Sequence, residues 1–154
     1  MYRKLALFLI AAAIAVSGCT EEIRKPTVSV SDITVRGITP QTLNLDAHVI
    51  IDNPNPVGAN LTKIAFDLYY LENGQSKYLG HGEKYNVEIR SRGQTTVTVP
   101  VVIDNQQAVG AVLEAARRGA ITIRVSGSAF LDLRVTTFEV PFEDRREVTF
   151  QAPR

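Results

Sequence analysis

The sequence predicts an all-β domain: an antiparallel sandwich of seven or eight strands with one short α-helix near residues 105–118. Three observations predict it. Apolar and polar residues alternate with period two through most of the chain after Pro26. Turn signals recur at regular spacing between those runs, and no alternation of strand with helix suggests βαβ units. One segment alone carries helical spacing.

The elements follow in chain order. Val28 and Val30 share a face, and Ile33 and Val35 resume it after a phase slip at Ser31-Asp32, which predicts a bulge. The clearest strand runs from Thr42 to Ile51. Leu43, Leu45, Ala47, Val49 and Ile51 point to the core, and Thr42, Asn44, Asp46 and His48 point to solvent. A strand over 61–71 places Ile64, Phe66, Leu68 and Tyr70 inward, and Asn73-Gly74 after it is a hairpin signal because both positions need positive φ. Strands are expected at 77–89, with a break at Gly80–Gly82, and at 95–103 after a turn at 91–94. Asp104 can cap a helix start, with Gln107 in capping-box position. Ala108, Val109, Val112, Leu113 and Ala116 are spaced for its buried face, Arg117 and Arg118 suit its last turn, and Gly119 its left-handed stop. Ile121, Ile123, Val125, Ala129, Leu131 and Leu133 define a strand in which Gly127 leaves room for a neighbour. Phe138, Val140 and Phe142 mark another. Asp144-Arg145-Arg146-Glu147 reads as a solvated hairpin loop, with a short last strand at 147–150.

The N-terminus has a different design. Arg3 and Lys4 precede an apolar run from Leu5 to Val16, and the small residues Ser17 and Gly18 lead to Cys19, the chain's one cysteine. That order is a secretory signal over 1–18, too short to span a bilayer. Val16-Ser17-Gly18-Cys19 resembles the lipobox of bacterial lipoproteins. The resemblance implies cleavage before Cys19, a diacylglyceryl group on its sulfur, and often a further N-linked acyl chain such as palmitate. Two or more chains anchor stably where one does not. Residues 19–25 are then the lipidated cysteine and a short polar tether, and 26–150 the folded domain. Thr20 after the cysteine, rather than Asp, favours the periplasmic face of the outer membrane if the cell is Gram-negative.

Composition excludes several classes. Without Arg3 and Lys4, 15 of the 17 basic residues remain against 16 acidic ones. A balance near zero offers no basic patch for nucleic acid and no polybasic membrane face. About 136 residues can bury roughly two thirds of their unfolded surface, enough for one core without a disulfide. A monomeric domain is expected.

One motif stands apart from the strands. Asp52-Asn53-Pro54-Asn55-Pro56 follows the clearest strand, and its prolines reject a sheet interior while the asparagines can cap backbone groups. By local chemistry it is a rigid strand exit. With Leu61, the aromatic strand ending at Asn73-Gly74, Gly80-His81-Gly82, the Gly93 turn and Val97-Thr98-Val99-Pro100-Val101, the ordered series resembles the late embryogenesis abundant group 2 family, also called the WHy (water stress and hypersensitive response) domain. The resemblance spans about residues 26–150. It implies a seven-stranded sandwich of fibronectin or immunoglobulin type with one helix, an association with desiccation and other stress, and no catalytic residues. Asn53, Pro54, Asn55 and Pro56 match its signature and are expected to be structural.

Other chemistry is sparse. His48 shares an outward face with Asp46, but two ligands do not make a metal site, so no metal and no cofactor are expected. His81 between glycines reads as turn chemistry. No nucleophile elbow, phosphate loop or dinucleotide motif is present, and no enzyme is expected. Asn60-Leu61-Thr62 is a glycosylation sequon in form, at what reads as a strand start. The expected function is a non-enzymatic, membrane-anchored lipoprotein domain of the cell envelope, stress-associated and protective or binding. The alternatives are a carrier of lipid or another apolar ligand, and a domain that docks a protein partner.

Overall fold

In a computed structural model of the chain, residues 22–149 are described. Seven strands and a helix follow one another: β1 (Thr27–Ile38), β2 (Thr42–Asn53), β3 (Ala59–Glu72), β4 (Gln75–Ile89), β5 (Gly93–Asp104), α1 (Asn105–Arg118), β6 (Ala120–Asp132) and β7 (Thr137–Thr149). All neighbouring strands are antiparallel, in the order β1-β2-β5-β4-β3-β6-β7.

Where the sequence predicts a sandwich of two sheets, the strands form one continuous sheet that curls into a nearly closed barrel. The two halves join where His81 and Gly82 of β4 pair with Val102 and Val101 of β5. Glycine allows the close approach: a Cβ on Gly82 would lie 2.8 Å from the Phe66 ring and 2.9 Å from Val101 Cγ2. Alternation declares which face is buried, but both architectures bury the same face, so it does not distinguish them.

The core follows the predicted alternation. Leu43, Leu45, Ala47, Val49 and Ile51 are buried, as are Ile64, Phe66, Leu68 and Tyr70 from β3 and Val97, Val99, Val101 and Ile103 from β5. Phe66 meets Phe142 edge to face at 6.1 Å. Gly127 is forced by this packing, since its Cβ would sit 2.2 Å from the Ala65 carbonyl oxygen and 2.5 Å from Phe66 Cβ. The expected bulge lies between Val30 and Asp32, and Asn73 (φ 51°) and Gly74 (φ 81°) make the expected hairpin turn. In that hairpin a hydrogen bond from Lys77 holds the Glu72 carboxyl below its ordinary pKa, and the same contact raises Lys77.

Four expectations are corrected. The strand over 75–89 runs through Gly80–Gly82 unbroken, with an irregularity in its pairing opposite Leu68 and Tyr69. His81 lies in that strand rather than a turn, its Nδ1 2.8 Å from Asp67 Oδ1. Residues 144–147 are the middle of β7, which runs on to Thr149 in place of a loop and a separate strand. Asp144 and Arg146 are half-buried on the side of Val140 and Phe142, and bind the facing edge of the barrel: Val30 N–H donates to Asp144 Oδ2 at 2.6 Å, and Arg146 donates to the Val30 carbonyl. Charged residues at period two carry no apolar signal, which is why the strand reads as a loop.

The fourth correction concerns α1. Its caps match the sequence: Asp104 accepts from the Gln106 N–H at 2.8 Å, and Gly119 has φ 80° and donates to the Ala115 carbonyl. Its buried face does not. Ala108, Ala111, Glu114 and Ala115 are buried, whereas Val109, Val112 and Leu113 are exposed. The helix lies close over the barrel end, and a Cβ on Gly110 would fall 2.4 Å from Tyr70 Oη. That spacing admits alanine and glycine and turns the larger side chains outward. The buried Glu114 carboxylate is held by Arg117 and Arg118, each at 2.5 Å.

Candidate functional site

The strand directions sort the connections into two poles. At the helix pole lie the β1–β2 and β3–β4 turns and α1; at the other lie residues 22–26 and the β2–β3, β4–β5 and β6–β7 loops. The Asn-Pro-Asn-Pro segment is the β2–β3 loop, so the motif stands at the pole where the chain enters the fold.

Asn53 and Asn55 are almost wholly buried there, with relative exposures of 0% and 1%. Unpaired buried amides would be costly, and here every amide N–H donates and both amide oxygens accept. The Asn53 amide nitrogen donates to the carbonyls of Val57 (2.9 Å) and Arg90 (3.0 Å), tying its own loop to the β4–β5 loop. Its oxygen accepts from the Asn55 backbone N–H (3.1 Å) and side-chain Nδ2 (2.9 Å). Asn55 then presents its amide as a strand would present its backbone. Oδ1 accepts from Arg24 N–H and Nδ2 donates to Arg24 C=O, both at 2.7 Å. The Asn55 carbonyl accepts from Arg92 N–H at 2.9 Å. Pro54 is exposed and Pro56 half-buried, and between them they hold the loop extended so that both amides reach inward.

The two asparagines therefore clamp the entering chain. Arg24 is pinned through both its backbone groups, Ile23 packs against the core, and Pro26 is buried. The expected lipidation site, Cys19, lies outside the described residues. The sequence assigned the asparagines local capping, and Asn53 does receive the N–H of Asn55 two residues on. The contacts to residues 24, 90 and 92 are long-range and carry no local signature.

Beside the clamp a cleft of about 1070 Å³ opens between the loops, lined by Val57, Asn86, Glu88, Arg90, Arg134 and Val135 among others. The Asp132 carboxylate is occupied in accepting the Arg134 N–H at 2.8 Å. A second pocket, apolar and lined by Val35, Leu79, Ala111 and Val112 among others, lies under α1 and has only about 30 Å³, the room of roughly one water. His48 bridges Thr98 (3.2 Å) and Thr34 (3.3 Å) on the outer face, while Asp46 faces Arg36 at 3.7 Å. Among the described residues no three His, Cys, Asp or Glu side chains are arranged to hold a metal ion. No helix among them is long and apolar enough to cross a membrane.

This is an all-β module of seven antiparallel strands in a nearly closed, barrel-like sheet with one short helix. The chain belongs to the late embryogenesis abundant protein family (LEA_2), whose profile matches residues 48–146. The uncharacterized protein MJ1138 of Methanocaldococcus jannaschii is 34% identical over 96% of this chain and 82% of its own length. The uncharacterized protein MJ0943 of the same organism is 28% identical over 69% of this chain, which there matches 24% of the longer protein. Among solved structures, AT1g01470 from Arabidopsis thaliana superposes with a TM-score of 0.71 at 18% identity, covering 90% of this chain and 91% of that one. The late embryogenesis abundant (LEA) assignment At2g46140.1 gives 0.60 at 16% identity, over 97% and 84%. At such identities the structures share the fold.

Proposed function

We propose that this chain is a non-enzymatic protective domain of the WHy type, held outside the cytoplasm on a membrane by acyl chains on Cys19. Family membership across residues 48–146 is the observation that carries the stress-associated part of this reading. The sequence Val16-Ser17-Gly18-Cys19 after an apolar run supports the anchor.

The first test is a drying assay on a labile enzyme, mixed with the mature chain lacking its lipid. An equal mass of an unrelated β protein of similar charge serves as control. Retention of activity well above the control is expected. Protection equal to the control would move the reading to partner docking or ligand carriage.

A further inference from the structure

We infer that the tether pole is the protein's membrane-facing surface, seated on lipid headgroups through the tips of its three loops, with α1 pointing away from the bilayer. The inference rests on lipid attachment at Cys19. Attachment alone would leave the domain free to tumble; the clamp removes that freedom. Arg24 is fixed to Asn55 at both backbone groups and Ile23 is packed on the core. From Cys19 to Arg24 is five residues, at most about 17 Å fully extended. β2 runs twelve residues from the helix pole to the clamp, a span of about 36 Å. The tether therefore brings the clamp's own pole to the lipid and cannot bring α1 there while the barrel stands.

The loop tips fit that position. The β2–β3 loop exposes Val57 and the β6–β7 loop exposes Val135, the latter 72% exposed, on the rim of one cleft. Arg90 and Arg134 are exposed on the same rim, and Lys25 at the chain's entry. Arg134 has φ 69°, a tight turn that thrusts Val135 outward. Small apolar tips flanked by arginine suit the interface, where the side chain's apolar part enters and its charge meets phosphate. Glu88 and Asp132 also lie at this cleft, so the surface is not uniformly basic. It depends on the lipid anchor for affinity and supplies orientation.

The test uses the full-length chain matured in its lipidating host and reconstituted in vesicles of about one third anionic phospholipid. Single cysteines at Val57→Cys, Val135→Cys, Val109→Cys and Leu113→Cys carry a polarity-sensitive fluorophore, the native thiol being blocked by its acyl group. Aqueous iodide is expected to quench the first two sites about threefold less than the last two, as apolar contacts sunk several ångströms into the headgroups would be. Inserting about ten Gly/Ser residues between Thr20 and Glu21 frees the domain and should bring all four sites toward equal quenching. The intact mass separates the two readings. A mature chain without the lipid increment overturns both; a lipidated chain with equal quenching at all sites, or with α1 protected instead, overturns the orientation and leaves the anchor standing.

Discussion

At the residue scale, two asparagines outweigh their size. Asn53 and Asn55 use every donor of both amides, and their targets lie in three separate segments around residues 24, 57 and 90. Asn55→Ala would leave the Arg24 backbone groups and one Asn53 acceptor site without their partner. A cost of about 2–3 kcal/mol is expected in urea unfolding, because groups buried without a partner bear their full desolvation penalty. Asn55→Asp should cost at least as much. A carboxylate can still accept from Arg24 N–H but cannot donate to Arg24 C=O or Asn53 Oδ1. If both variants unfold like the parent, the clamp contributes nothing to stability and serves only to direct the chain.

At the scale of the element, α1 shows how spacing can select against hydrophobicity. Two stripes compete on its surface: one of larger apolar residues through Val109, Val112 and Leu113, and one of small residues through Ala108, Ala111 and Ala115. The amphipathic pattern favours the first as the core face. The distance to the barrel favours the second, since Tyr70 leaves no room for a Cβ at position 110. Leu113→Ser should therefore change the unfolding midpoint little, within about 0.5 kcal/mol, as exposed positions do. Ala115→Leu should destabilise by about 1–3 kcal/mol through overpacking. The opposite order of effects in thermal or urea melts would mean that the larger side chains face inward in solution. Glu114 shares the buried face only because Arg117 and Arg118 reach back to it from the exposed side, an arrangement that an apolar count would never nominate.

At the scale of the whole molecule, the barrel closes through side chains where a ladder is missing. β1 and β7 are the two edges of the sheet, and Asp144 and Arg146 bind the N–H and C=O of Val30 across the seam. Charges turned toward the seam also blunt exposed edges against pairing with other chains. Asp144→Ala should open the seam by about 2 kcal/mol, speeding exchange of the Val30 amide about 30-fold by native-state hydrogen exchange. Amides in the central pair β2–β5 should slow or quicken only with global stability. An unchanged Val30 amide would show that the seam is held by packing alone. The same scale carries what is proposed for function: drying protection and membrane orientation are proposed of the module as a unit, with the clamp at one pole and the helix at the other.

The sequence by itself determined the strand-rich character, the inward residues of β2, β3, β5 and β6, the Asn73-Gly74 turn and the caps of α1. Each depends on neighbours within one element, on period two, on a positive φ or on a side chain reaching the next turn. The Asn-Pro-Asn-Pro exit was legible as a turn, but not as a clamp. Tertiary structure alone decided that the sheet is continuous, which side of α1 is buried, that Asp144–Glu147 is strand, and that Asn55 holds Arg24. These depend on separations of 31 residues between Asn55 and Arg24, and 114 between Val30 and Asp144. Local periodicity carries no information across such distances; only the close approach of the folded backbone sets which polar groups meet and how large a side chain can lie between them.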